Sequence, residues 1–358
     1  MTGGRESGRH LHLLLPGDPL TATGGYLYDR RMAEGLRQQG WRVDVHGLDH
    51  SFPQPTPAAL AHADQTLTAL GSDACVLIDG LALGAMPEVA HRHAQRLRLI
   101  GLVHHPLAAE TGLSPQRAQV LEASERAALR AVRGVIVTSP ETAVALTRYD
   151  VPAERIFVVE PGTAAASGVP RSGNGSALLL LCVASLTPRK GHDLLLEALA
   201  TQRHHDWHLT IAGSTDRDPP TRDALRSQIT RLDLSTRVTL AGELGEEALQ
   251  SLYRDADVFV LASRFEGYGM AVAEALMHAL PVVATTTGAS ARIVPADAGI
   301  LVPPDDGPAL QAALARVLGD AALRRQLAHG AGRAALQLRS WPQAAARLQS
   351  ALHAISGA

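Results

Sequence analysis

The chain of 358 residues contains little cysteine, little lysine and no excess of either charge. Its two cysteines, Cys75 and Cys182, each lie in an apolar run, so we predict buried free thiols and no disulfide framework or cysteine-bound metal. Lysine and arginine number 33 against 35 aspartates and glutamates, and neither half of the chain is basic. Binding to nucleic acid through neutralised phosphates is therefore disfavoured.

Long apolar runs are also missing. No apolar stretch approaches the roughly 18 residues that a membrane-spanning helix needs. The run at 11–15 ends at Pro16 and is too short for the apolar core of a signal peptide, so we expect a cytoplasmic protein. Hydrophobic residues make up 46% and charged residues 19%, which indicates a folded chain, and the length predicts about two domains.

Lysine is the scarcest of the charged residue types. Of the 33 basic residues, 32 are arginine and one, Lys190, is lysine. Such usage indicates a compositional bias that replaces lysine wherever arginine serves equally well. A lysine that remains is a candidate for a role that needs a compact ammonium ion instead of a planar guanidinium group, with chance retention as the alternative.

Short apolar segments alternate with helical patterns along the chain, which is typical of parallel sheets with crossover helices. We predict six strands before residue 160 and six after residue 176, joined by a turn-forming linker at 164–176. The predicted fold is α/β, with two doubly wound, Rossmann-like domains that face a central cleft. The first domain is expected at 1–168 together with a C-terminal helix at 341–358 that crosses back, and the second at 175–340.

The segment 263–276 follows a predicted buried strand and opens a helix. Gly267 and Gly269 permit close approach of a ligand to the backbone, and the helix start offers amides to an anion. Glu266 precedes the helix and Glu274 lies inside it, so a helical rise of 1.5 Å per residue separates them by roughly 12 Å. This spacing suits a nucleoside-diphosphate sugar; the alternative is two ordinary solvated glutamates.

A second segment, 183–195, runs from a predicted strand through a proline-bearing turn into a helix that begins at Gly191. Arg189 and Lys190 then lie at the carboxyl end of a strand beside a helix N-terminus. A diphosphate would meet two positive charges and free amides at this point. The alternative is a solvated pair of basic loop residues.

Together the two segments resemble the C-terminal half of retaining GT-B glycosyltransferases of family 4, the glycosyl transferases group 1. That family's E-x7-E pattern appears as Glu266 and Glu274, and its Lys-Gly turn as Lys190 and Gly191. The resemblance is close over 177–318 and looser in the N-terminal half. It implies transfer of a hexose-type sugar from a nucleoside-diphosphate sugar to an acceptor hydroxyl on a glycan, a lipid-linked molecule or a small molecule. It also implies retained configuration and neither cofactor nor metal.

The resemblance also implies roles for residues of the donor-binding second domain. Glu266 would bind hydroxyls of the donor sugar beside the reacting carbon, and Glu274 the ribose hydroxyls. Lys190, with Arg189, would hold the diphosphate. The backbone at the start of the helix would contact phosphate or sugar, at Gly267, Gly269, Met270 and Ala271. Relatives often carry a Gly-Arg pair before the lysine, and here 183–185 is Val-Ala-Ser, so Arg189 is expected to compensate.

In the acceptor-binding first domain, the resemblance points to the carboxyl ends of two strands. Gly24 and Gly25 follow the first strand and are similar to the family's glycine loop near the donor phosphate. His104 ends the fourth strand, where relatives carry a histidine near the donor sugar. His105 and an ordinary structural histidine are the alternatives.

Other interpretations of these motifs lead to different functions. Asp255 and Asp257 match the D-x-D metal motif of another glycosyltransferase fold, although a polar helix end explains them as well. The run 267–272 begins like a dinucleotide fingerprint but lacks its third glycine, which disfavours a hydride-transfer enzyme. A sugar-nucleotide epimerase or hydrolase, or a non-catalytic nucleotide-sugar-binding protein, remains an alternative function. The basic stretch 88–98 is interpreted as a solvated helix face, with contact to anionic lipid as its alternative.

Overall fold

The computed structural model describes residues 9–21, 23–164 and 177–357. The chain divides into two compact units, 1–162 with 339–358 and 163–338. Each unit contains a six-stranded parallel sheet with helices between its strands, as the alternation in the sequence predicts. Of the predicted linker, the stretch 165–176 lies outside the described residues.

The strands of the first unit form one parallel sheet whose inner members are buried on both faces. They are β1 (His10–Pro16), β2 (Arg42–Leu48), β3 (Cys75–Asp79), β4 (Arg98–Val103), β5 (Gly134–Val137) and β6 (Ile156–Val158). Their order is β2-β1-β3-β4-β5-β6. All five residues of β3 are buried because helices cover both faces, which explains its continuous apolar sequence.

Three helices of the first unit begin with a proline that directly follows a capping residue. The helices described before the linker are α1 (Gly24–Gln38), α2 (Pro57–Thr68), α3 (Gly80–Leu83), α4 (Pro87–His93), α5 (Pro115–Ala131) and α6 (Pro140–Leu146). The side chains of Thr56, Ser114 and Ser139 each accept an amide hydrogen bond in the first turn of their helix. Proline follows each of them, where its missing N–H costs no helical hydrogen bond.

The strands of the second unit form a sheet of the same kind. They are β7 (Leu178–Val183), β8 (Trp207–Ala212), β9 (Val238–Gly242), β10 (Val258–Leu261), β11 (Val282–Thr285) and β12 (Gly299–Val302). Their order is β12-β11-β10-β7-β8-β9. In both sheets the strand order reverses direction near the first strand of the unit, and ligands of open α/β sheets bind at such a point, outside the carboxyl ends of the strands.

The helices of the second unit connect these strands and cover both faces of the sheet. They are α7 (His192–Ala200), α8 (Pro219–Arg231), α9 (Glu246–Asp255), α10 (Met270–Met277), α11 (Ser290–Ile293), α12 (Gly307–Gly319) and α13 (Ala321–Ala335). The strand β10 leads into α10, and β7 leads into α7. These two strand-to-helix connections contain the motifs at 183–195 and 263–276.

The C-terminal helix α14 (Trp341–Ser356) belongs to the first unit, where it packs on α1. The two helices approach so closely that a Cβ at Gly35 would lie 2.4 Å from the Cβ of Ala345. The His353 ring stacks on Trp41 with 5.5 Å between ring centroids. A capping box at Ser340 fixes the start of this helix.

Several local predictions are corrected by the structure. The basic stretch 88–98 is not one helical face, because α4 ends at His93 and β4 begins at Arg98. The short helices α3 and α11, and α13, were not predicted. The predictions of two buried free thiols, Cys75 and Cys182, are confirmed. Within the described residues, no helix is both long and apolar enough to cross a membrane.

Candidate functional site

Lys190 and Glu266 form a buried ion pair in the second unit. The Lys190 Nζ donates a hydrogen bond to Glu266 Oε1 at 2.5 Å. The Arg189 Nη1 lies 3.6 Å from the other carboxylate oxygen, Oε2. The three side chains expose only 15%, 9% and 17% of their surface. The structure thus brings together three residues of the two predicted motifs.

The turn that carries Lys190 depends on a glycine. A 3₁₀ turn spans Pro188–Lys190, and Gly191 caps the start of α7 with a φ of 65°. A Cβ at Gly191 would lie 2.0 Å from the carbonyl oxygen of Ala262, which follows β10. No side chain fits at this distance, and only glycine adopts this φ without strain. Gly191 therefore lets the Lys190 turn pack directly against the backbone that leads to Glu266.

Arg264 holds the two motif loops together. Its guanidinium group binds both carboxylate oxygens of Asp193, at 2.9 and 2.8 Å, and its Nε donates to Asp305 at 2.8 Å. The same side chain donates to the Pro188 carbonyl at 2.6 Å, while its backbone amide donates to the Arg189 carbonyl at 2.8 Å. Sequence reasoning missed Arg264, since its partners become visible only when the loops meet.

The Glu266 carboxylate is fixed in its ionised form. Burial by itself would raise the pKa of Glu266, but the charges of Lys190 and Arg189, with hydrogen bonds from Lys190 and Ser263, hold that pKa below its ordinary value. The Ser263 hydroxyl donates to Glu266 Oε1 at 2.6 Å. The Ser263 carbonyl in turn accepts a hydrogen bond from Thr285 at 2.5 Å. The carboxylate is thus oriented from three sides.

The start of α10 adjoins this ion pair in sequence. Gly267 lies in the bend before the helix, Gly269 is its N-terminal cap with a φ of 93°, and Met270 is its first residue. The first hydrogen bond within the helix is the one from the Val272 amide to the Gly269 carbonyl, at 3.0 Å. The amides that precede it, including those of Met270 and Ala271, form the positive end of the helix dipole.

Glu274 is placed differently from the prediction. Glu274 is the fifth residue of α10, whereas Glu266 lies in the loop before the helix. The predicted separation of roughly 12 Å assumed a helical rise over all eight residues, and the loop part of this segment does not follow that rise. The Tyr253 hydroxyl of α9 donates a hydrogen bond to the Ala271 carbonyl of α10 at 3.3 Å. Burial, then the charge of Glu274, raises the pKa of Tyr253 far above its ordinary value, which keeps its hydroxyl protonated. Tyr253 is a second residue that sequence reasoning missed.

In the first unit, His104 lies beside two buried carboxylates. Its Nε2 is 3.2 Å from Asp29 Oδ1 and 3.5 Å from Asp79 Oδ2. Asp29 is a residue of α1, and Asp79 ends β3 and caps α3 through the Leu81 amide, which donates to its Oδ1 at 2.8 Å. The other oxygen of Asp29, Oδ2, is buried and has no hydrogen-bond partner among the described residues.

Burial and neighbouring charges shift the pKa values of His104 and Asp79. Burial by itself would lower the pKa of His104, but the charge of Asp29, the hydrogen bond with Asp29 and the charge of Asp79 raise that pKa above its ordinary value. Burial, followed by repulsion from Asp29, raises the pKa of Asp79.

Gly24 and Gly25 are the first two residues of α1, directly after the loop that follows β1. A Cβ on Gly25 would lie 3.5 Å from the His104 ring, which is an ordinary van der Waals contact. Gly25 therefore lies beside His104. His105 has a different neighbour: its Nε2 is 3.6 Å from Glu110.

Two groups of residues bear on metal binding. Asp257 accepts a hydrogen bond from the Leu179 amide at 2.8 Å, and Asp255 ends α9, so both serve local structure. Neither belongs to a cluster of three possible ligands in the part of the chain that the structure describes. Asp29, Asp79 and His104 do form such a cluster, with ligand atoms within 4.8 Å of one another.

Two family models match the chain, one over each unit. Residues 5–162 match the glycosyl transferase 4-like domain, and residues 172–333 match the glycosyl transferases group 1. Residues 1–4, 163–171 and 334–358 are left outside these matches. The chain belongs to the GT-B glycosyltransferases.

Curated relatives of this glycosyltransferase are sugar transferases. An MMP alpha-(1->4)-mannosyltransferase of Mycolicibacterium hassiacum is 27% identical over 312 residues, which cover 83% of this chain and 74% of the relative. The lipopolysaccharide core biosynthesis mannosyltransferase LpcC of Rhizobium leguminosarum bv. viciae is 32% identical over 179 residues, 49% of this chain. That match spans 50% of the relative's length.

Solved structures show the same fold for the glycosyltransferase over nearly its whole length. Sucrose-phosphate synthase from Thermosynechococcus elongatus superposes with a TM-score of 0.81 at 22% identity, covering 96% of this chain and 98% of that one. Anabaena HepE in complex with UDP-glucose gives a TM-score of 0.76 at 19% identity, covering 95% and 98%. At such identities the likeness establishes the fold alone.

The glycosyltransferase also contains functional candidates that sequence reasoning did not find in its first unit. Asp79 ends β3 and His104 follows β4, and these neighbouring strands are parallel. Their carboxyl ends therefore meet, which would have been a usable signal for Asp79. Asp29 offered no such signal, because the side of α1 that faces the sheet is set by packing.

Proposed function

We propose that the chain transfers a hexose-type sugar from a nucleoside-diphosphate sugar to an acceptor hydroxyl, with retained anomeric configuration and without a metal ion. The observation that carries this proposal is the cluster of Lys190, Arg189 and Glu266 at the start of α10. Two cations, one ionised carboxylate and a helix N-terminus form a site for a ligand that combines a diphosphate with sugar hydroxyls.

The positive groups would act on the leaving group. As the bond between the sugar and the diphosphate lengthens, negative charge grows on the phosphate oxygens. Lys190 and Arg189, with the backbone amides at Gly269, Met270 and Ala271, would stabilise that charge. The turn that ends at Gly191 already holds Arg189 and Lys190 in place, so these two donors need little reorganisation during the reaction.

Glu266 would orient the donor sugar and would not attack it. Its Oε1 accepts hydrogen bonds from Lys190 and Ser263, and its Oε2 faces Arg189, so the carboxylate is a poor nucleophile. The remaining acceptor capacity suits sugar hydroxyls. The departing phosphate would take the proton of the acceptor hydroxyl on the same face of the sugar, which retains the configuration. Glu274, whose charge acts on Tyr253, would bind the ribose hydroxyls.

In the first unit, His104 would lie near the donor sugar, and this unit would bind the acceptor. The raised pKa of His104 favours its charged form, which donates hydrogen bonds from both ring nitrogens. Relatives named as mannosyltransferases and a structure titled with UDP-glucose support a hexose donor on a nucleoside diphosphate.

The first experiment is a thermal-shift screen of the full chain against UDP-, GDP- and ADP-linked glucose and mannose. A donor that binds the native state raises the melting temperature, because ligand binding draws the equilibrium towards the folded state. A donor that raises the melting temperature is then incubated with and without a panel of hydroxyl acceptors. Product formation with donor alone would favour the epimerase or hydrolase, and binding without turnover would favour a non-catalytic protein.

The single lysine permits a direct footprint of the site. Acetylation of the purified chain modifies the Lys190 ε-amine and the α-amino group, since the chain contains no other lysine. If Lys190 holds the diphosphate, the nucleoside diphosphate should protect it from acetylation while the α-amino group still reacts. Equal acetylation of Lys190 with and without saturating nucleotide would remove it from the donor site.

A further inference from the structure

Three histidines and an aspartate lie together on one face of the first sheet, far along the chain from the motifs above. His10 and His12 belong to β1, and Asp44 and His46 belong to β2. The parallel register places His12 opposite Asp44 and Leu14 opposite His46. Because alternate residues of a strand share a face, all four polar side chains project to the same side of the sheet.

The four side chains are in direct contact. His10 Nε2 is 2.7 Å from Asp44 Oδ2, and His12 Nδ1 is 3.0 Å from His46 Nε2. The ring centroids of His10 and His12 are 4.3 Å apart, and those of His12 and His46 are 5.2 Å apart. One ligand atom from each of His10, His12 and Asp44 lies within 4.8 Å of the other two.

We propose that His10, His12 and Asp44 bind one divalent transition-metal ion of the zinc type, with His46 beside His12. Two imidazoles and one carboxylate are ligands that Zn²⁺ takes, and the fourth position is open to water. Ligand atoms of these three residues lie within 4.8 Å of one another, and two ligands at about 2.0–2.1 Å from a tetrahedral zinc are roughly 3.3 Å apart. After small rotations of the side chains, the ion would take the place of the proton that His10 and Asp44 share.

The cluster is accessible and its backbone is rigid. The side chains of His10 and Asp44 are 32% and 33% exposed, so an ion can enter from solvent. Strands fix the positions of ligands more closely than loops do. Arg42 competes for Asp44, with its Nη2 3.1 Å from Oδ2, but its side chain is 73% exposed. An exposed ion pair of this kind contributes little, so a metal ion displaces it at small cost.

The ion would have a structural role. His10 and Arg42 are the first residues of β1 and β2, so the cluster lies at the amino ends of these parallel strands. His104, by contrast, follows the carboxyl end of β4. The metal would tie the edge strand β2 to β1, and the inference does not depend on the proposed transfer reaction.

The test is a zinc titration of the metal-free full chain in competition with a chromophoric chelator. We expect one Zn²⁺ per chain and a loss of at least about tenfold in affinity in His12→Gln and in His10→Gln. Co²⁺ should give the intense visible bands of a tetrahedral site. Arg42→Ala should bind zinc at least as tightly as the parent chain. The control is His205→Gln, which changes an adjacent histidine pair in the second unit whose rings are 4.2 Å apart.

The proposal is overturned if His12→Gln and His10→Gln bind zinc as tightly as the parent chain. It is also overturned if His205→Gln weakens binding as much as they do, because the ion would then bind elsewhere. Should His12→Gln fail to fold, the half-exposed His10→Gln decides the outcome. Far-ultraviolet circular dichroism of each metal-free variant separates a lost ligand from a lost fold.

Discussion

Lys190 donates a 2.5 Å hydrogen bond to Glu266 across 76 residues of chain, and both side chains are almost buried. The pair is not a simple stabilising ion pair. Arg189 adds a second cation beside the same carboxylate. A bound diphosphate would give both cations further charged hydrogen bonds. This relationship is the physical basis of the predictions on activity.

Replacing Lys190 by alanine should lower kcat by about 10²–10³-fold, the effect of removing one preorganised donor to a developing oxyanion. Steady-state kinetics with the best donor measure the change. Arg231→Ala is the matched control, because it removes a cation that pairs with Glu197 at 2.7 Å on the protein surface. A folded Lys190→Ala variant with near-parental kcat would contradict the role of Lys190.

Gly191→Ala should destabilise the second unit and reduce turnover together. The new methyl group combines a φ of 65° with a 2.0 Å approach to the Ala262 carbonyl. Gly242→Ala separates the two causes, since Gly242 has a φ of 70° and no heavy atom within 4 Å of an added Cβ. We expect the control to lose about 1–2 kcal/mol and Gly191→Ala to lose more, as measured by urea unfolding. Equal losses would show that the close approach is relieved by a shift of the backbone.

Asp29→Asn should lower the pKa of His104, because it removes the strongest charge that holds the imidazolium. Histidine-selective NMR titration measures this pKa directly. Because the pKa of His104 is raised in the folded state, its interactions stabilise the fold fully below the unfolded pKa of 6.5, and this stabilisation is lost as pH rises through the folded pKa. The variant should therefore lose stability mainly at acidic pH. Asp150→Asn, an exposed change in the same unit, is the control. An unchanged His104 titration would exclude Asp29 as its positioning residue.

Glu125→Gln should remove a pH dependence of stability. Burial raises the pKa of Glu125 to about 8, while its Oε2 accepts the Leu107 amide at 2.9 Å. A carboxyl group with a raised folded pKa loses stability as pH rises from about 4.5 to about 8, by about 1.4 kcal/mol per pH unit. Denaturant unfolding at pH 6 and pH 8 should therefore show a smaller difference in the variant. Glu88→Gln, at an exposed residue of the same unit, should keep the parental slope.

Transfer activity should survive EDTA, because the proposed mechanism stabilises the leaving group with Lys190, Arg189 and the α10 amides. Loss of a structural ion from the His10 cluster would lower the melting temperature and leave turnover intact. Turnover assays before and after dialysis against EDTA, with Mg²⁺ or Mn²⁺ added back, make the measurement. A strict requirement for either ion would direct attention to Asp255 and Asp257, or to the cluster around His104.

The sequence by itself determined the two six-stranded sheets and the motifs at β7–α7 and β10–α10. Strands and helices follow from local periodicity, and the scarcity of lysine marked Lys190. Only the tertiary structure decided which side chains meet. The Arg264 and Asp29 contacts join segments distant in sequence, and the start of α10 at Met270 was set by the φ of Gly269. Such contacts depend on how loops and helix faces pack, which no local pattern encodes.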